Sequence, residues 1–214
     1  MRRAALLALA LAACEKSPEA PEAPAPAAKA GRNVVLFVGD SLTAGYGVAP
    51  DAAFPALLGE RWAKEAVGYR ARNAGISGAT TAGVLETLDW ALAPEVDTAF
   101  LCIGANDGLR GLDLGASQAN LSSIIEKIQA KGIRVVLAGM KVPPNYGEDY
   151  SRRFEAMYPD LARKHGVKLM PFLLDGVAGK RGSNLPDGIH PNEAGHRRIA
   201  ANVQDFLDRE RLLR

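Results

Sequence analysis

The regular alternation of short apolar runs with longer amphipathic stretches constrains this chain more than any other feature. It predicts strands over 34–38, 69–73, 98–103, 133–139 and 168–172, and helices over 54–66, 80–92, 117–131, 148–164 and 192–207. Runs such as Val34-Val35-Leu36-Phe37-Val38 and Ala99-Phe100-Leu101-Cys102-Ile103 are apolar at successive positions rather than at every second one. Both faces of such strands must be covered. Doubly covered strands that alternate with helices give an α/β fold, a three-layer α/β/α sandwich with a mostly parallel central sheet.

The polar punctuation falls in one place relative to these elements. Gly39-Asp40-Ser41, Asn73-Ala74-Gly75-Ile76-Ser77-Gly78 and Gly104-Ala105-Asn106-Asp107 each follow the carboxyl end of a predicted strand. Parallel strands bring these three loops to one edge, where open α/β sheets form their ligand crevices.

Ser41 is the candidate nucleophile. A serine hydroxyl needs an imidazole to take its proton and a carboxylate to fix the imidazole's tautomer. Asp187-Gly188-Ile189-His190 offers both from one loop ahead of the last helix. The bland readings are a helix-capping or turn serine at Ser41 and a turn carboxylate in Pro186-Asp187-Gly188; neither calls for the other two residues. Of the remaining histidines, His165 ends a basic helix, where a cation complements the dipole, and His196 stands beside Arg197 and Arg198 on the last helix. Trp62 and Trp90 fall in helix-patterned stretches and are expected in core or groove packing.

Four segments in order, Gly39-Asp40-Ser41-Leu42, Ser77-Gly78, Gly104-Ala105-Asn106-Asp107 and Asp187-Gly188-Ile189-His190-Pro191, resemble the SGNH, or GDSL, hydrolase family over nearly the whole domain. Asn106-Asp107-Gly108-Leu109-Arg110-Gly111 and Pro144-Asn145-Tyr146-Gly147 are most similar to its bacterial thioesterase, lysophospholipase and arylesterase branch, although Ala79 stands where those relatives often carry an acidic residue. The resemblance implies a flavodoxin-like sheet order and an ester hydrolase that works through an acyl-enzyme on Ser41. It further implies a Ser41, Asp187, His190 triad and an oxyanion hole from the Ser41 and Gly78 backbone N–H groups and the Asn106 amide. Gly108, Leu109 and Tyr146 would then contact substrate. No cofactor is expected, and no metal: no Cys/His cluster or closely spaced carboxylate set has ligand spacing, so Asp40 and Asp107 are read as loop-bonding residues.

The amino terminus reads as an export signal over 1–13. Met1-Arg2-Arg3 is a basic start, and the apolar run to Ala13 is shorter than the roughly 20 residues a membrane span needs. Leu11-Ala12-Ala13-Cys14 resembles a bacterial lipobox, which makes Cys14 the lipidation site. Ordinary secretory cleavage nearby is the alternative. Residues 14–32 form a Pro/Ala-rich spacer, extended at about 3.1 Å per residue, and 33–214 form the hydrolase domain. Cys102 lies in an apolar run and is read as a small buried hydrophobe rather than a partner for Cys14.

Removing Arg2 and Arg3 from the 26 basic residues leaves them balanced against 24 acidic ones. A neutral chain lacks the basic signature of nucleic-acid binding. The expected partners are a small-molecule ester, thioester or lysophospholipid and, through the lipid anchor, the membrane of the bacterial envelope. The domain is expected to be a monomer facing the periplasm or cell exterior. Two rival readings are an O-acetylesterase acting on carbohydrate or cell wall, and a non-catalytic envelope lipoprotein that kept an esterase fold.

Overall fold

A computed structural model describes residues 31–213. The export signal, Cys14 and most of the spacer lie outside the described residues. Five strands, β1 (Val34–Gly39), β2 (Arg70–Gly75), β3 (Val96–Cys102), β4 (Arg134–Ala138) and β5 (Lys168–Met170), form one sheet in the order β2-β1-β3-β4-β5. Every pairing is parallel. Helices α2 (Phe54–Lys64) and α7 (Glu193–Arg209) pack together on one face. Helices α3 (Thr81–Ala91), α5 (Leu114–Ala130) and α6 (Glu148–His165) pack in a row on the other.

Burial follows the apolar runs. Every residue of β1 and β3 is buried, with Phe37 of β1 in ring contact with Phe54, Trp62 and Phe100. Trp62 Nε1 also donates to Gln204 Oε1 at 2.6 Å, which ties α2 to α7. The edge strand β2, Arg-Ala-Arg-Asn-Ala-Gly, is half exposed and has no apolar run of its own. It is a strand because β1 offers a full ladder of backbone partners in register from Val34↔Arg70 to Gly39↔Gly75. Asp97, buried within β3, is paired with Arg134 of β4 and accepts from Thr98 Oγ1 at 2.9 Å, so this carboxylate is not left bare in the core.

Two expectations are corrected. Trp90 is not packed in core or groove: it is 93 % exposed at the end of α3. His165 does end the basic last turn of α6, but its side chain is only 7 % exposed rather than free in solvent. Its side chain turns inward against α5, where Nε2 meets Ser122 Oγ at 2.8 Å, and burial together with Lys164 lowers its pKa. His196 is fully buried, with Nδ1 accepting the Phe54 N–H at 3.3 Å.

The sheet order reverses between β1 and β3: from β1 the chain first steps outward to β2 on one side and then builds β3, β4 and β5 on the other. The loops leaving the carboxyl ends of β1 and β3 diverge there to opposite faces and open a crevice.

Candidate active site

The chain leaves β1 at Gly39 and turns at once into a single helical turn, α1 (Ser41–Ala44), capped by Asp40, whose Oδ1 accepts the Leu42 N–H at 3.0 Å. Ser41 therefore stands at the carboxyl edge of a central strand. Only glycines let α1 settle there. A Cβ on Gly39 would lie 2.1 Å from Thr43 Oγ1 and 2.6 Å from the Cys102 carbonyl, and one on Gly75 only 2.3 Å from Ala44 N. Asp40 is sealed beneath the turn; burial pushes its pKa up to about 6 against the pull of the Leu42 N–H and of His190.

The loop before α7 carries the other two residues expected at the site. It is closed by the Leu185 N–H donating to the His190 carbonyl at 2.7 Å and by a bridge between Asn184 and Pro191. Inside it, Gly188 turns with φ +77°, and Asp187 Oδ1 accepts the N–H groups of both Ile189 and His190 at 3.0 Å. Asp187 Oδ2 meets His190 Nδ1 at 2.8 Å, and His190 Nε2 meets Ser41 Oγ at 3.0 Å. A carboxylate only accepts, so the proton between Asp187 and His190 sits on Nδ1. That leaves the Nε2 lone pair for the serine hydroxyl. The His190 and Ile189 N–H groups and the His190 ring hold the Asp187 pKa down to about 2. A hydroxyl, a base and an orienting carboxylate thus share one hydrogen-bonded line, the arrangement that deprotonates a serine as it attacks.

Gly78 and Asn106 follow the carboxyl ends of β2 and β3, the sheet edge at which Ser41 follows β1. The backbone N–H groups of Ser41 and Gly78 have no acceptor among the described residues. Asn106 lies on the short helix α4 (Ala105–Leu109) and spends one amide proton on the Ala79 carbonyl at 3.0 Å, leaving the other free. Only the main chain of Ala79 is used, so the unusual residue there does not disturb this bond. Asp107, buried, locks α4 in place: it accepts from Thr81 N and Oγ1 at 2.9 and 2.6 Å and from Ser117 Oγ at 3.0 Å. Asp40 and Asp107 therefore act as loop-bonding residues.

Of the three residues expected to touch substrate, Gly108 is buried, and Leu109 and Tyr146 are half-buried. Gly108 faces away: a Cβ there would meet Val142 Cγ1 at 2.5 Å and the Phe154 ring at 2.7 Å, so this glycine lets α4 pack on α6. Tyr146 spends its hydroxyl on the Leu109 carbonyl at 2.6 Å and shapes the 108–112 loop rather than offering that hydroxyl to a ligand. Sequence reasoning missed Tyr46, whose exposed ring lies 4.5 Å from the His190 ring, and Arg110, which bonds both Gly78 and Asn106. Their positions close behind Ser41 and Asn106 were the available signal. Ile76, Leu112 and Ile189 are also exposed on the loops that carry the site.

Residues 37–198 match the model of the GDSL-like lipase/acylhydrolase family. The chain is 41 % identical over 180 residues to esterase TesA of Pseudomonas aeruginosa, covering 84 % of this chain and 90 % of that protein. It is 37 % identical over 164 residues to thioesterase 1/protease 1/lysophospholipase L1 of Escherichia coli K12, covering 76 % and 77 %. The crystal structure of the psychrotrophic esterase EstA from Pseudoalteromonas sp., inhibited by monoethylphosphonate, superposes with a TM-score of 0.80 at 32 % identity, covering 83 % of this chain and 97 % of that one.

Proposed function

The chain belongs to the GDSL-like lipase/acylhydrolase family and is a serine ester hydrolase; from that premise we propose that Ser41 is its nucleophile and that esters, thioesters and lysophospholipids are its substrates. The unbroken relay from Ser41 Oγ through His190 to Asp187 carries this reading. As Ser41 attacks the acyl carbonyl, its proton passes to His190 Nε2, and Asp187 stabilises the imidazolium. The oxygen that gains charge is received by the N–H groups of Ser41 and Gly78 and the Asn106 amide. His190 then protonates the departing alcohol or thiol, and water, deprotonated by the same histidine, releases the acid. Thioester and lysophospholipid substrates are supported by the names of the Escherichia coli relative.

Leu109, the last residue of α4, with its carbonyl held by Tyr146 and the following loop by Tyr150, is the residue we assign to an acyl chain. A p-nitrophenyl ester series from acetyl to palmitoyl tests this together with the activity. Leu109→Asp is expected to lower the octanoyl-to-butyryl ratio of kcat/KM by roughly tenfold, because one side chain covers about two of the four extra methylenes, each worth about 0.8 kcal/mol when taken from water. An unchanged ratio overturns the role of Leu109. Turnover confined to acetylated glycans moves the substrate to carbohydrate esters.

The protein is further read as a lipoprotein of the bacterial envelope, anchored through Cys14 with the domain outside the cytoplasm, on the support of the basic start, the short apolar run and the Leu11-Ala12-Ala13-Cys14 segment. Labelled palmitate is expected to enter the full chain and to be lost in Cys14→Ala. Equal labelling of the two would overturn the anchor.

A further inference from the structure

Arg110 follows α4 one turn after Asn106 and belongs neither to the triad nor to the oxyanion donors. Its Nη2 donates to the Gly78 carbonyl at 3.0 Å and lies 3.4 Å from Asn106 Oδ1. We propose that Arg110 is a positioning residue for the oxyanion hole, setting the direction of the Asn106 amide and tying the Gly78 loop to α4. The inference rests on reading Gly78 and Asn106 as oxyanion donors.

A primary amide has one accepting and one donating end, and turning it over changes its shape hardly at all, so only its partners decide which end faces the reaction. Here the two neighbours leave no choice. Arg110 has donors alone and requires Oδ1; the Ala79 carbonyl accepts alone and requires Nδ2, at 3.0 Å. The reversed amide would set donor against donor at Arg110 and acceptor against acceptor at Ala79. In the observed orientation the second Nδ2 proton is free for the oxyanion. A guanidinium bonded to Oδ1 also draws electron density from the amide and makes that proton a better donor.

The same guanidinium holds the other oxyanion loop. Gly78 adopts φ +80°, and the turn behind it is closed by Ala79 N–H donating to the Ile76 carbonyl at 3.0 Å. That turn leaves the Gly78 carbonyl to Arg110. Arg110 and Asn106 therefore grip successive carbonyls, those of Gly78 and Ala79, and keep the loop after β2 in step with α4. Both bonds leave the one nitrogen, Nη2, so a lysine ammonium, with three donors, replaces it in part, as far as its unforked and more strongly hydrated end reaches the same point.

The experiment compares Arg110→Met and Arg110→Lys with wild type on p-nitrophenyl butyrate, a neutral ester. Arg110→Met is expected to lower kcat roughly tenfold, a fraction of the 10²–10³ that outright loss of an oxyanion donor costs, with KM within about twofold. Arg110→Lys should recover part of the loss. Phenylboronic acid, whose tetrahedral serine adduct uses the oxyanion hole, should lose affinity in Arg110→Met in parallel with kcat, while product butyrate should not. In an Asn106→Ala background the same substitution should cost clearly less than in wild type, the remainder being what it exerts through the Gly78 loop. Wild-type kcat in Arg110→Met, or a full loss persisting in the Asn106→Ala background, overturns the inference. So does a KM effect seen only on anionic esters, which would make Arg110 a substrate contact. Failure of the underlying reading is separate: it would show as an unaltered kcat in Asn106→Ala alone.

Discussion

Ser41→Ala is expected to abolish ester turnover, with kcat falling on the order of 10⁵–10⁶-fold, while the folded state and its unfolding midpoint stay as they are. The hydroxyl is half-buried and among the described residues bonds only His190, so the core does not depend on it. His190→Ala should cost about as much. The double variant should be no worse than either single one, because a nucleophile without its base and a base without its nucleophile fail at the same step. Asp187→Asn should cost less, roughly 10⁴-fold, since the ring is also held by the His190 N–H bond to Asp187 Oδ1 and by Tyr46. Single-turnover and steady-state rates on p-nitrophenyl butyrate decide the matter. A Ser41→Ala enzyme that keeps even a hundredth of wild-type kcat would move the nucleophile elsewhere.

The difference between what the sequence shows and what it hides is physical. Strands β1 and β3 are legible because a doubly covered strand must be apolar at successive positions, and the three polar loops follow from where those strands end. The triad is legible because its chemistry demands particular side chains. The turns α1 and α4 are too short for periodicity to reveal. The first exists because Asp40 caps it two residues away at Leu42, and the second because Asp107 ties it to Thr81 and Ser117, residues more distant in sequence. For Gly108 and Tyr146 likeness points to substrate and carries no sign of their packing: in the folded chain Gly108 makes room for Phe154 and Tyr146 bonds the Leu109 carbonyl. Trp90 sits in an amphipathic stretch whose inward positions are Val84 and Leu88, and its own direction on the helix points to solvent. Arg110 was invisible for the opposite reason: an arginine in a loop reads as solvated surface until both of its acceptors are in place.

Two buried titratable groups give the second large effect, and they oppose each other. Burial raises Asp40 from the ordinary 3.8 to about 6. Between those pH values the folded chain holds a proton that the unfolded chain has released, so this group's contribution to stability falls as pH rises, by about 3 kcal/mol across the window. Burial lowers His196 from 6.5 to about 4. As pH drops through that range the unfolded chain gains a proton that the folded chain refuses, so this contribution falls toward acid, also by about 3 kcal/mol. In the wild-type protein the two slopes largely cancel between about pH 4 and 6.5, and Asp187, held down to about 2, loses its own stabilising effect only below that window. Asp40→Asn, which can still accept the Leu42 N–H, should expose the His196 slope and make the protein progressively weaker as it is acidified. His196→Asn, which can still accept the Phe54 N–H, should expose the Asp40 slope and make the variant gain stability on acidification relative to its own value at neutral pH. Urea unfolding at pH 4, 5, 6 and 7 reads the slopes directly, independently of any constant cost of the substitutions. Parallel profiles for the two variants would mean that neither burial shifts its group, whereas profiles that diverge toward acid tie the pH response to Asp40 beneath the serine turn and His196 against α2.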